Sequence, residues 1–276
     1  MPRPPDDSNR PPSARLTPYE LVFTEGDFES VVFPAIGREA EERGIDPSTP
    51  ERFAFLSVVG DVLREVTPED APPDALDQYR ALLFHSYHFQ AAGKRLYVLD
   101  RAVARFLVEA TPEMAGWAFV PPGVSGYVQL PANLFWSSIA PDTPPEPVDG
   151  FFFTEAFPDG APEARDVKLL LVLGVRRSRA GFSVVQLDTG VGADLVGDSE
   201  PTRPEGDFTN ALPGGEISGL YSILTTGEAF RLAARAFWYV DRFPAASTTV
   251  EAPAPRESDA DPPPSRLQYV AVTLGE

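Results

Sequence analysis

The chain contains no cysteine, which excludes disulfide frameworks, thiolate zinc sites, iron–sulfur clusters and cysteine nucleophiles. It has two histidines, His85 and His88, so a serine triad has few bases to draw on. Gly123-Val124-Ser125-Gly126 also lacks the G-x-S-x-G spacing of a nucleophile elbow. Basic residues are scarce: 23 Lys and Arg stand against 41 Asp and Glu, a net charge of −18. Lys and Arg are what phosphate backbones and anionic lipid surfaces attract, so this balance argues against nucleic-acid and membrane partners. The longest apolar run, residues 169–175, is far too short to span a bilayer. Residues 1–15 are polar and Pro-rich with no apolar signal core, and a soluble, cytoplasmic protein is expected. No G-x-G-x-x-G or Walker A loop is present, and no cofactor is predicted.

What remains is material for a core. A length of 276 residues with 43% hydrophobic content suits one large domain or two modest ones. The stretch 126–188 reads as short β-forming segments at 126–130, 134–138, 150–156, 167–175 and 181–188, each bounded by Pro, Gly or Asp. Connections this short hold no crossover helices, so neighbouring strands are expected to run antiparallel. Phe151, Phe152 and Phe153 cannot all face one side of a strand, so both faces of that strand are predicted to be covered.

Before this stretch the pattern is helical. Helices are predicted over 27–43 (with Pro34 as a kink and Gly44 as a cap), over 50–65, from Asp74 to Gly93, and over 97–110. After it, residues 189–207 read as a long loop. Thr225-Thr226-Gly227-Glu228 fits a capping box that opens a helix to Asp241, and 267–274 is a final strand. The predicted fold class is therefore α+β. A disordered tail (1–18) precedes a helical subdomain (19–112), then a mostly antiparallel β-sheet with a C-terminal helix packed on it (113–247). An acidic Pro-rich linker (248–265) leads to a final strand returning to the sheet (266–276).

Few constellations point to chemistry. His85 and His88, three apart on a predicted helix, share a face on which both rings reach one metal, with Asp77, Asp100 or Glu109 as a further ligand. Flanked by Phe84, Tyr87 and Phe89, they also suit helix packing. Pro158-Asp159 followed by Asp166-Val167-Lys168 resembles the PD…(D/E)xK pattern of metal-dependent nucleases. The gap is short, however, and the first carboxylate falls in a loop. Asp149 and Glu155 form one of many acidic pairs that a glycosidase mechanism requires. Arg176, Arg177 and Arg179 form the one compact basic cluster, at a hairpin tip, as a candidate binding site for an anionic ligand or partner; gatekeeping of the apolar strand before them is the simpler and favoured reading. The expected function is a non-enzymatic interaction or regulatory protein with another protein as partner. A metal-dependent hydrolase built on His85 and His88 is the alternative.

Overall fold

The computed structural model describes residues 14–23, 27–67, 71, 74–110, 114, 119–137, 144–161, 165–176, 181–187, 221–223, 225–250 and 267–274. Of the tail expected over 1–18, residues 1–13 lie outside the described residues, as do the loop 189–207 and residues 251–265 of the linker expected over 248–265; residues 248–250 belong to a strand instead.

The chain enters through a short helix, α1 (Pro18–Val22). Thr17 and Glu20 close a capping box on it, and Tyr19 and Phe23 are buried. Disorder was expected up to residue 18, but the structure corrects this at its end, because Arg15 is bound to the sheet and Thr17 caps a helix. The α-helix expected from 27 is delayed to Phe33, next to Pro34. A π-helical turn (Phe28–Val32) passes into α2 (Phe33–Arg43), so Pro34 falls in the first α-turn, where a missing N–H costs nothing. Gly44, at φ 62°, ends α2 as expected.

The helix predicted over 50–65 is two pieces, α3 (Pro50–Phe53) and α4 (Ser57–Val66). Its break is stabilised from outside: the Glu39 carboxylate accepts from Ser57 N at 2.7 Å and Val58 N at 2.9 Å, capping α4 from the neighbouring helix. Desolvation opposes the charge on Glu39, yet these two N–H groups and the Arg43 guanidinium hold its pKa down to about 2.

Helix α5 (Ala75–Ala91) ends where Gly93 and Lys94 take left-handed backbone, at φ 85° and 57°. The chain then enters strand β1 (Arg95–Leu99), not the helix expected from Tyr97. Leu96, Tyr97, Val98 and Leu99 are all buried, and a short apolar run covered on both faces carries no periodicity to separate strand from helix. The helix proper, α6 (Arg101–Glu109), starts at Asp100, whose side chain accepts from Ala102 N.

Eight more strands follow: β2 (Ser125–Gln129), β3 (Phe135–Ser137), β4 (Glu146–Ala156), β5 (Asp166–Arg176), β6 (Gly181–Leu187), β7 (Tyr221–Ile223), β8 (Ser247–Val250) and β9 (Gln268–Val272). Between β7 and β8 runs α7 (Thr226–Arg242), opened by the Thr225/Glu228 capping box. The main sheet order is β6-β5-β4-β2-β1-β9-β8, with β3 bridging β4 to β7. The β2–β4, β3–β4, β4–β5, β5–β6 and β8–β9 pairs are antiparallel, whereas β1 runs parallel to β2 and β9, and β3 to β7. The sheet is mixed and mostly antiparallel, and the α+β class holds.

Helices cover both faces of this sheet. On one, Phe151, Phe153, Leu169 and Leu171 pack with α6 and with Phe230, Ala233 and Phe237 of α7. On the other, Phe152, Leu170, Val172 and Tyr127 pack with α1 to α5. The three consecutive Phe thus divide between two cores, as the alternation of a strand requires, and burying each ring stabilises by roughly 2–3 kcal/mol. No helix among the described residues is long and apolar enough to cross a membrane.

Candidate functional site

The groove between α3, α5 and the β5–β6 hairpin holds an open cleft of about 340 Å³. Pro50, Phe53 and Ala54 wall it from α3, and Ala81 and Phe84 from α5. Glu51, Asp77, Arg80, His85, Lys168 and Gln186 supply its polar groups. Asp77 pairs with Arg80 at 2.6 Å, and Lys168 with Asp166 at 3.0 Å. Arg80 Nε is buried without a hydrogen-bond partner.

His85 forms the cleft floor, 2% exposed, and its protonation state follows from counting protons. Ser125 Oγ donates its single proton to the Phe153 carbonyl at 3.0 Å. At 3.0 Å from Thr154 Oγ1 it therefore accepts, and the Thr154 proton is spent on it. The Thr154 oxygen is then the acceptor for His85 Nδ1 at 2.9 Å. His85 is thus the Nδ1–H tautomer, and its Nε2 is a bare acceptor that no described residue hydrogen-bonds. Burial, and next the nearby His88 and Lys168, push its pKa down to about 3. Near neutral pH it is an uncharged ring stacked on Phe152.

His88 faces elsewhere. Its Nε2 lies 3.1 Å from the Pro47 carbonyl, which only accepts, so that nitrogen carries the proton. Its ring packs among Phe53, Phe84 and Tyr87. Burial pushes its pKa down to about 4, against the opposing pull of Pro47 and Asp46. A metal shared by the two rings would have to take His85 Nε2 and His88 Nδ1. Among the described residues no group of three or more His, Asp or Glu could hold a metal ion. Of the carboxylates considered with them, Asp77 alone shares the cleft. Asp100 caps α6, and Glu109 binds Arg105 and the Tyr221 hydroxyl.

Both rings are folded in the neutral form with pKa values below the ordinary 6.5. As pH falls, the unfolded chain takes up protons first, so their contribution is complete above about pH 6.5 and is lost on the way down to 4 and 3. Each ring adds a slope of up to about 1.4 kcal/mol per pH unit. Urea unfolding is expected to show a loss of about 4 kcal/mol between pH 7 and pH 5 from the two together. A flat profile over that range would contradict this.

The remaining sequence candidates disperse. Asp159, in the turn between β4 and β5, pairs with Arg52, and Asp166 pairs with Lys168, so each acid of the nuclease-like pattern holds a cation of its own. Asp149 and Glu155 lie six residues apart along β4, about 20 Å, beyond the reach of a glycosidase pair. Arg177 and Arg179 lie outside the described residues, as does the Arg176 side chain; the Arg176 backbone pairs with Gly181 at the expected hairpin.

Asp149 instead anchors a buried cluster that the sequence did not reveal. Arg15 grips Asp149 Oδ1 through Nε at 3.0 Å and Nη2 at 2.7 Å, and Nη2 also donates to the Leu130 carbonyl. Tyr127 Oη and Gln129 Nε2 donate to Asp149 Oδ2 at 2.6 and 3.2 Å. Arg15 N donates to the Gln129 side chain, which donates back to the Arg15 carbonyl. With every member satisfied, this cluster straps the entering chain to β2 and β4. No family model matches the chain, and no curated protein matches it in sequence.

Proposed function

We propose that the chain is a soluble, non-enzymatic interaction or regulatory protein of the cytoplasm, and that its recognition surface is the cleft and its rim. The observation that carries this reading is His85, held in one tautomer and kept uncharged on the floor of an open cleft. A ring with a pKa of about 3 is poorly matched to moving protons near neutrality, where a general base works best near the operating pH. As a positioned acceptor it is well matched to recognition. Exposed apolar side chains adjoin cleft-lining residues in the chain: Phe55, next to Ala54 and just past α3, is 77% exposed, and Leu76, next to Asp77 on α5, is 38% exposed. Exposed apolar side chains beside a pocket suit a protein partner. Arg176, Arg177 and Arg179 belong to the proposal as a second contact, for an acidic segment of that partner.

The test is retention of a partner from the source cells by immobilised wild type, by Phe55→Ser with Leu76→Ser, and by a variant with the three hairpin arginines changed to Ser. Loss of a specific partner in the Phe55/Leu76 variant is expected. Unchanged retention in it would overturn the placement at the rim. Zn²⁺- or Mn²⁺-dependent hydrolysis of ester or phosphoester probes, abolished by His85→Ala, would replace this reading with the hydrolase.

A further inference from the structure

The cleft has a polar inventory specific enough to name a ligand class. It carries two cationic groups, Arg80 and Lys168, and two carboxylates, Glu51 and Asp77, in a chain whose overall charge is −18. A ligand of one strong charge meets repulsion from half of this set, whereas a ligand carrying both signs does not. At the floor, His85 Nε2 offers a lone pair with no described partner, so the ligand atom facing it must be a donor. Phe53, Phe84 and Ala81 add an apolar wall, and about 340 Å³ is at the small end of ligand pockets.

We propose that this cleft binds a small zwitterion of the α-amino acid class, free or as a dipeptide, with an apolar side chain. Its ammonium group faces His85 Nε2 and the Glu51 and Asp77 carboxylates, its carboxylate faces Arg80 and Lys168, and its side chain lies on Phe53 and Phe84. The proposal rests on the cleft being a recognition site. It adds a ligand beneath the rim where the protein partner is placed, so occupancy of one becomes a signal to the other.

The test is calorimetric titration of the full chain with L-phenylalanine and L-leucine, their amides, their N-acetyl derivatives, and the dipeptides phenylalanyl-alanine and leucyl-alanine. Long-range ¹H–¹⁵N spectra of the histidine rings are recorded alongside. One-to-one binding of a free amino acid or dipeptide is expected, with a shift of the His85 Nε2 signal. The amide and the N-acetyl derivative should each bind about tenfold or more weakly. The dipeptide arm decides which source of the shared chemistry fits. Arg80→Met and Lys168→Met, both at the cleft margin, should each weaken binding by about tenfold while the far-UV spectrum stays unchanged. Equal binding of all derivatives, or binding unaffected in both variants, overturns the zwitterion assignment but leaves the recognition reading standing. No binding of any probe up to about 10 mM also overturns it, while partner retention is scored separately.

Discussion

Gly150→Ala is expected to cost about 4 kcal/mol or more, a large part of the stability of an ordinary domain. Gly150 sits on β4 opposite Gln129 of β2, just after a register shift at Val148. A Cβ there would lie 2.1 Å from the Val128 carbonyl oxygen and 3.0 Å from the Tyr127 ring. The first neighbour is backbone in the middle of the sheet, so no side-chain rotation relieves the clash. The β2–β4 pair would have to part, and the Asp149 cluster beside it would go too. Urea unfolding followed by far-UV circular dichroism measures the effect, and a midpoint close to that of wild type would show that this pairing is not tight. Gly126 is similarly confined: its added Cβ would meet the Phe153 ring at 2.6 Å and the Arg95 carbonyl oxygen at 3.3 Å, and that ring is fully buried against Tyr97 and Phe237.

Arg15→Met is expected to cost about 3 kcal/mol, although Arg15 lies at the edge of the described chain. It removes the guanidinium from a carboxylate that is only 4% exposed, leaving Asp149 with Tyr127 and Gln129 for partners. Breaking a pair of this kind strands a buried charge, which costs more than the intact pair contributes. A double-mutant cycle with Asp149→Asn isolates the interaction, and a coupling above about 1 kcal/mol is expected. Additive effects would mean that Arg15 holds the segment by its stem and backbone contacts alone. Limited proteolysis should follow stability, with Arg15→Met cut first near α1.

What could be read from the sequence was whatever is local. The Thr225/Glu228 capping box, the left-handed Gly44 and the split of Phe151, Phe152 and Phe153 between two faces each depend on residues within a few positions of one another. Strand β1 was not legible, because 96–99 is apolar on every side and neither period 2 nor 3.6 emerges from it. The site was legible only in part. His85 stood out for its rarity, but its tautomer is set by Ser125 and Thr154, and its cleft by Lys168 and Gln186 from a distant hairpin. Arg15 gave no signal, because it sits in a Pro-rich polar stretch and its partner is 134 residues away.

The parallel pairing of β1 with β9 has a consequence for biosynthesis. The register Leu96↔Tyr269 joins positions about 170 residues apart. At translation speeds of roughly 5–20 residues per second, one edge of β1 waits about 10–35 s for its neighbour to leave the ribosome. During that interval the nascent chain displays an open ladder of backbone donors and acceptors lined with Leu, Tyr and Val, a template for pairing with other nascent chains.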